Sequence, residues 1–176
     1  MAYYRKSGQI IDSSFGMDVA GNKIDAVTKV NKFGAASVGS SFIPLCWGGV
    51  YMTPQVSGAT TLRVKAGNAN DTADGSGARS VTLQGLNASG DLVTETLATA
   101  GDTAGASSTT SFLRVFRAYV EESGTYATAS AGSHSADIVI ENTAGTQDWV
   151  TINSTSFPRS QSLIGCYTVP NGYRAF

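Results

Sequence analysis

The chain has 176 residues, enough for one large domain or two small ones, and a core of that size needs no disulfide or metal staple. Its 12 Lys and Arg stand against 13 Asp and Glu, for a formal net charge of −1, and no basic stripe of the kind that displaces phosphate counterions is present, which argues against nucleic-acid binding. Only 14% of the residues are charged, so Thr, Ser, Asn, Gln, Ala and Gly must cover the surface, and no apolar run reaches the length needed to span a bilayer.

At the N-terminus, Met1-Ala-Tyr-Tyr-Arg-Lys6 is not followed by the apolar region of a signal peptide, so synthesis in a cytoplasm without export by that route is expected. Residues 1–49 carry the aromatic side chains Tyr3, Tyr4, Phe15, Phe33, Phe42 and Trp47 among Gly, Ser, Lys and Asp, with one candidate strand at 24–31. They read as an arm that becomes ordered on a partner surface, the alternative being a self-packed N-terminal segment. From residue 50 to 176, period-two alternation of β-branched and aromatic residues predicts strands at 60–66, 79–86, 91–98, 112–121, 136–142, 149–153 and 163–169. Turn-formers separate them, including Gly67-Asn68, Asp74-Gly75-Ser76-Gly77, Ser123-Gly124 and the stretch 142–145.

The strands 79–86 and 91–98 read as a hairpin closed by Asn87-Ala88-Ser89-Gly90. Val81 and Leu83 would face one side and Thr82 and Gln84 the other. In the second strand Val93 and Leu97 bracket Glu95, with Leu92, Thr94 and Thr96 opposite. The strand at 112–121 is apolar on both faces, with Phe112 and Phe116 on one and Leu113 and Val115 on the other, as in a strand buried on both sides. No amphipathic helix is predicted, and Gly101 and Gly105 mark 98–106 as a loop. The fold class expected is all-β, an antiparallel β-sandwich of jelly-roll type with an extended N-terminal arm.

Residues able to carry chemistry are sparse. The one histidine, His134, is flanked by small loop residues and is expected to be exposed. No Gly-x-Ser-x-Gly elbow accompanies it, and no cluster of ligands at metal spacing occurs. Cys46 and Cys166 stand far apart in apolar settings and read as small buried hydrophobes, outside any disulfide framework or zinc site. Asn68-Ala-Asn70-Asp71-Thr-Ala-Asp74-Gly75 has the flavour of a calcium loop but lacks its closing Glu and reads as a polar turn capped by its own Asx side chains. Gly75-Ser76-Gly77 precedes a strand, so it is no phosphate cradle. Glu95, Glu121, Glu122, Asp137 and Glu141 are candidates for glycoside hydrolysis only in that they are carboxylates. Catalysis, metals and cofactors are therefore not expected.

A set of short motifs carries a resemblance. Asn31-Lys-Phe-Gly34 and Trp47-Gly-Gly-Val-Tyr51 open it, and Asn70-Asp71-Thr72, Gly75-x-Gly77-Ala-Arg79, Gln84-Gly85-Leu86, Glu95-Thr-Leu97, Phe112-Leu-Arg114, Arg117-Ala and Tyr167-Thr-Val-Pro170-Asn-Gly follow. In this order and spacing the chain, from Asn31 onward, resembles a family of virion structural proteins of marine and cyanobacterial tailed phages. The resemblance implies a β-rich, non-catalytic particle component located in the virion, whose partners are the major capsid protein, other virion proteins or further copies of itself. Members commonly continue past the Tyr-Thr-Val-Pro turn, which implies either a short member or further strands beyond residue 176. Pro44-Leu-Cys46 stands where relatives are more polar, which implies a different docking partner for the arm.

The first expectation for function is a capsid-surface decoration protein, a knob or cement anchored by its N-terminal region. Tyr3, Tyr4, Phe15, Phe33, Trp47 and Tyr51 are the interface candidates, because aromatic side chains supply most of the binding energy in such contacts. A neck, tail or fibre component is the second reading. A carbohydrate-binding module for host-surface glycans is the third, for which Tyr119, Tyr126, Trp149 and Tyr167 are the residues to watch, with core packing the bland role for each.

Overall fold

Between residues 62 and 152, wherever β-branched residues alternate with polar ones, the chain forms strands, and nearly all the rest of the described residues are turn or irregular. The structure, a computed structural model, describes residues 3–4, 10–11, 15–21, 23–34, 36, 38–46, 58–124, 132–154 and 160–175. The chain divides into two compact units, Met1–Asn31 and Lys32–Phe176. The boundary expected between residues 49 and 50 lies outside the described residues.

In the first unit, β1 (Tyr3–Tyr4) pairs antiparallel with β2 (Ile10–Ile11). A six-residue helix, α1 (Phe15–Ala20), follows, and its end is satisfied by Gly21 N–H to Met17 O at 2.8 Å and Lys23 N–H to Asp18 O at 2.8 Å. A single turn and a half is too short to leave an amphipathic pattern, which is why no helix was expected. The strand expected at 24–31 is not formed. Residues 24–26 make a turn with Ala26 at φ 60°, and residues 27–34 join no ladder. Alternation supplies a strand's faces but not the neighbour that must take its hydrogen bonds.

The second unit contains two antiparallel three-stranded sheets. Its strands are β3 (Leu62–Ala66), β4 (Ala78–Asn87), β5 (Leu92–Ala98), β6 (Phe112–Ser123), β7 (Ile138–Asn142) and β8 (Asp148–Ile152). They are ordered β5-β4-β6 and β3-β7-β8. Buried residues of both sheets form one hydrophobic cluster, with Leu62, Val64, Ile138, Ile140 and Ile152 from one and Val81, Leu83, Leu97, Phe112 and Val115 from the other. The β4–β5 hairpin has the expected faces on its second strand: Leu97 is buried, while Leu92, Thr94 and Thr96 are exposed. Its turn and that of β7–β8 share one device. Asn87 and Asn142 each accept backbone N–H groups on the side-chain oxygen, and Gly90 and Gly145 close the turns at φ 81° and 68°.

The face assignment on β6 needs correction. Its pairing with β4 slips between Gln84 and Gly85, where Val115 and Arg117 are the partners and Phe116 is the extra residue, and again between Leu86 and Asn87, where Leu113 is extra. Each bulge resets the alternation. Phe112, Val115, Ala118 and Val120 therefore enter the shared cluster, while Phe116 lies outside it and packs on Tyr167 with ring centroids 4.7 Å apart.

Irregular segments cover the flanking backbone. Residues 101–108 run along β3, through Ala66 N–H to Gly101 O at 3.1 Å and Gly105 N–H to Val64 O at 2.8 Å. On β6, Val120 N–H bonds Ser160 O and Ser162 N–H bonds Ala118 O, both at 2.8 Å. The strand expected at 163–169 is thus misplaced. The pairing falls on residues 160–162, and within 163–169 only Ile164 forms a bridge, to Cys46.

Asp71, in the connection from β3 to β4, is wholly buried. Its Oδ1 accepts the N–H of Ala78 at 2.8 Å and of Ser135 at 2.9 Å, and Oδ2 accepts those of Ser135 at 3.2 Å and Ala136 at 3.3 Å. The turn before it is the Asx-capped one expected, with Asn70 N–H on Asn68 Oδ1 at 2.9 Å. A Cβ at Gly77 would overlap Asp71 Oδ1, so this carboxylate fixes the neighbouring glycine too. Replacing Asp71 with Ala strands the buried Ala78 N–H and removes the acceptor of the partly buried Ser135 and Ala136 N–H groups, and is expected to cost about 2 kcal/mol or more. Asp71→Asn should cost less, and Gly77→Ala should be strongly non-additive with Asp71→Ala because both disturb the same contact. Urea unfolding checks this through a lowered midpoint at unchanged slope.

Candidate functional site

The five carboxylates available for hydrolytic chemistry are each engaged by their own neighbours. Glu141 is buried at the end of β7 and pairs with Arg63 on β3, Oε1 to Nε at 2.7 Å. Asp137 accepts the backbone N–H and the hydroxyl of Ser154, each at 2.7 Å. Glu121 accepts the Thr82 hydroxyl at 3.1 Å, and Glu122 meets Arg79 at 3.3 Å on the exposed surface. Glu95 on β5 binds the N–H groups of Thr109 and Thr110 at 2.7 and 2.8 Å and the Thr109 hydroxyl at 3.1 Å. Partial burial raises its pKa, but these hydrogen bonds outweigh it and hold the carboxyl below the usual glutamate range.

His134, expected to be exposed, is buried. Its Nδ1 lies 2.7 Å from the Ser133 hydroxyl. Next to it in the chain, the amides of Ser135 and Ala136 are anchored on the Asp71 carboxylate. Among the described residues no group of three or more His, Cys, Asp or Glu is arranged to hold a metal ion. Nor is any helix among them long and apolar enough to cross a membrane.

The surface feature that stands out lies at 33–45. Phe33 is 65% exposed, Val38 79% and Leu45 59%, and Phe42 projects fully into solvent. Gly34 lies against the Leu45 carbonyl, so the ends of this stretch meet and its apolar side chains are carried on a closed loop. Of the interface candidates, Phe33 belongs to this loop. Tyr3 and Tyr4 form β1, Phe15 opens α1, and Trp47 and Tyr51 lie outside the described residues. Phe42 was named among the aromatic residues of the arm but not among the interface candidates, and Val38 and Leu45 were not named at all. The signal for them is Pro44, which removes a ladder donor from an otherwise strand-like Phe-Ile-Pro-Leu.

The aromatic residues watched for glycan binding are spread out. Trp149 is in the core cluster, Tyr167 packs on Phe116, Tyr119 lies under the Arg117 guanidinium at 4.4 Å, and Tyr126 lies outside the described residues.

Beside Phe116 is a mixed cluster that the sequence did not announce. Lys32 donates to the Phe116 carbonyl and sits over its ring, 5.7 Å from the centroid. Burial, with the Arg117 charge adding to it, lowers the Lys32 pKa, and the thiols of Cys166 and Cys46 both lie within its electrostatic reach. The two cysteines are therefore not the separate buried hydrophobes expected. Cys46 is half-buried, Cys166 is exposed, and they are neighbours.

The lowered pKa of Glu95 sets a pH dependence. Its folded value lies below the unfolded one, so its contribution to stability is fully present above the ordinary glutamate pKa of about 4.3 and is lost as pH falls through the lowered value. Thermal melts from roughly pH 3 to 7 should show Glu95→Gln with a shallower acid limb than wild type, and with lower stability at the neutral end.

No family model matches the chain, and no curated protein or solved structure matches it.

Proposed function

We propose that this chain is a non-enzymatic virion structural protein that decorates the surface of a capsid, with its two sheets packed face to face as a jelly-roll-like β-sandwich and its N-terminal region as the anchor. The observation that carries this reading is the closed loop at 33–45 with Phe33, Val38, Phe42 and Leu45 turned to solvent. Full burial of a large apolar side chain is worth about 1.5–3 kcal/mol, so four on one loop supply the free energy of a stable docking contact without any charged group. The common core of the two sheets supports the sandwich. The engagement of Glu95, Asp137 and Glu141 in holding loops and strands supports a structural role for the acidic residues. A shell of identical subunits, or a further copy of this chain bound to it, is the partner such a loop fits.

The test is rebinding of purified protein to particles that lack it. Phe33→Ser with Phe42→Ser should leave the unfolding midpoint nearly unchanged, since exposed substitutions stay within about 0.5 kcal/mol, and should lower occupancy at least tenfold. Undiminished occupancy removes the loop as anchor. Failure of the wild-type chain to bind any particle removes the virion reading itself. A copy number that matches the shell lattice supports decoration of the head, and one that matches a single ring supports the neck or tail instead.

A further inference from the structure

Cys46 and Ile164 form an antiparallel bridge. Cys166 lies two residues beyond Ile164, and its thiol is close enough to that of Cys46 for the two to hydrogen bond. Gly165, between Ile164 and Cys166, lies against the Leu45 carbonyl, which brings the two backbones together at this point. Both sulfurs are free thiols, and each side is held by separate contacts. Ser160 and Ser162 bond to β6, Tyr167 packs on Phe116, and Lys32 is seated on Phe116 from the other segment.

We propose that Cys46 and Cys166 are an oxidisable dithiol that closes to an intrachain disulfide and braces the base of the 33–45 loop against the segment 160–167. The oxidant is a low-molecular-weight disulfide. Cys166, the exposed thiol, attacks one of its sulfurs as the thiolate, forming a mixed disulfide and releasing one small thiol. Cys46 then attacks the Cys166 sulfur, forming the protein disulfide and releasing the second small thiol. The protein loses two hydrogens and the oxidant is reduced to two thiols, so electrons and protons balance. The order follows from exposure: Cys166 is open to a bulky reagent, while Cys46 is shielded, and burial raises its pKa so that it waits as a thiol. The Lys32 ammonium favours the Cys46 thiolate when that sulfur attacks in the second step. The inference does not depend on what the loop docks against.

Oxidised glutathione is the probe. Wild-type protein equilibrated with it should lose both alkylatable thiols, show an intact mass lower by two hydrogens without an adduct, and remain monomeric on a non-reducing gel. The melting temperature should rise by roughly 5 °C or more, reversed by dithiothreitol, because the bridge closes a long loop in the unfolded chain. Cys46→Ser should instead retain a glutathione adduct on Cys166 and show no such rise. Two alkylatable thiols after oxidation, an adduct persisting on the wild type, a disulfide-linked dimer, or an intrachain bond with no gain in melting temperature would each overturn the proposal.

Discussion

The carboxylate of Asp71 is wholly buried and takes its hydrogen bonds from the backbone of two distant stretches, and the arrangement of the sheets depends on that exchange. Ala78 is the first residue of β4, in the sheet β5-β4-β6, while Ser135 and Ala136 lead into β7, in the sheet β3-β7-β8. The Asp71 carbonyl also accepts Gly101 N–H at 2.8 Å, at the start of the segment that covers β3. One side chain thus supplies acceptors to backbone groups from both sheets where no ladder is available. A carboxylate buried in this way is tolerated because its oxygens are satisfied by several backbone amides at once. Hydrophobic burial drives the sheets together but is indifferent to small slips, and the directional bonds at Asp71 select one arrangement.

The strands of the second unit were legible because each carries its own alternation and is bounded by Asn, Asp and Gly. Asn87 and Asn142 begin turns of the same Asn-x-x-Gly form; the first was read as closing a hairpin and the second as a turn, and both close hairpins. What failed to show is instructive in each case. At 24–31 and 163–169 the pattern of a strand is present, but the partner that would complete it lies elsewhere or pairs with another segment. Along β6 the periodicity was correctly seen as apolar on both faces, yet the bulges at Leu113 and Phe116 change which residues share a face. A bulge is a property of two strands together, and a single strand's sequence does not contain it.

The candidate site was less legible than the fold, for the same reason on a larger scale. Phe33 could be named as an exposed aromatic from its setting among Gly and Lys. The loop that presents it depends on Gly34 meeting Leu45, a contact across the segment rather than along it. Cys46 and Cys166 each looked like a lone hydrophobe, and only the bridge to Ile164 makes them a pair. His134 was misjudged because the stretch that follows it is anchored on Asp71, a residue of a different loop. Glu95, by contrast, was visible as the polar residue between Val93 and Leu97 on the inward face of β5, where it found the amides of Thr109 and Thr110.

The pairing of Leu62 with Asn142 has a kinetic consequence. The β4–β5 and β7–β8 hairpins join neighbouring segments through short turns and can form in about 1–10 μs. The β3–β7 ladder must instead bring together strands separated by the whole of the other sheet, at a loop-closure entropy that nothing local offsets until the ladder is made. Folding of this domain is therefore expected to be governed by that late closure, in the slow regime of β proteins with distant contacts. Until β3 arrives, β7 presents Ile138 and Ile140 on an unpaired edge, and this intermediate edge is the point in the chain's life at which association with another copy competes with folding.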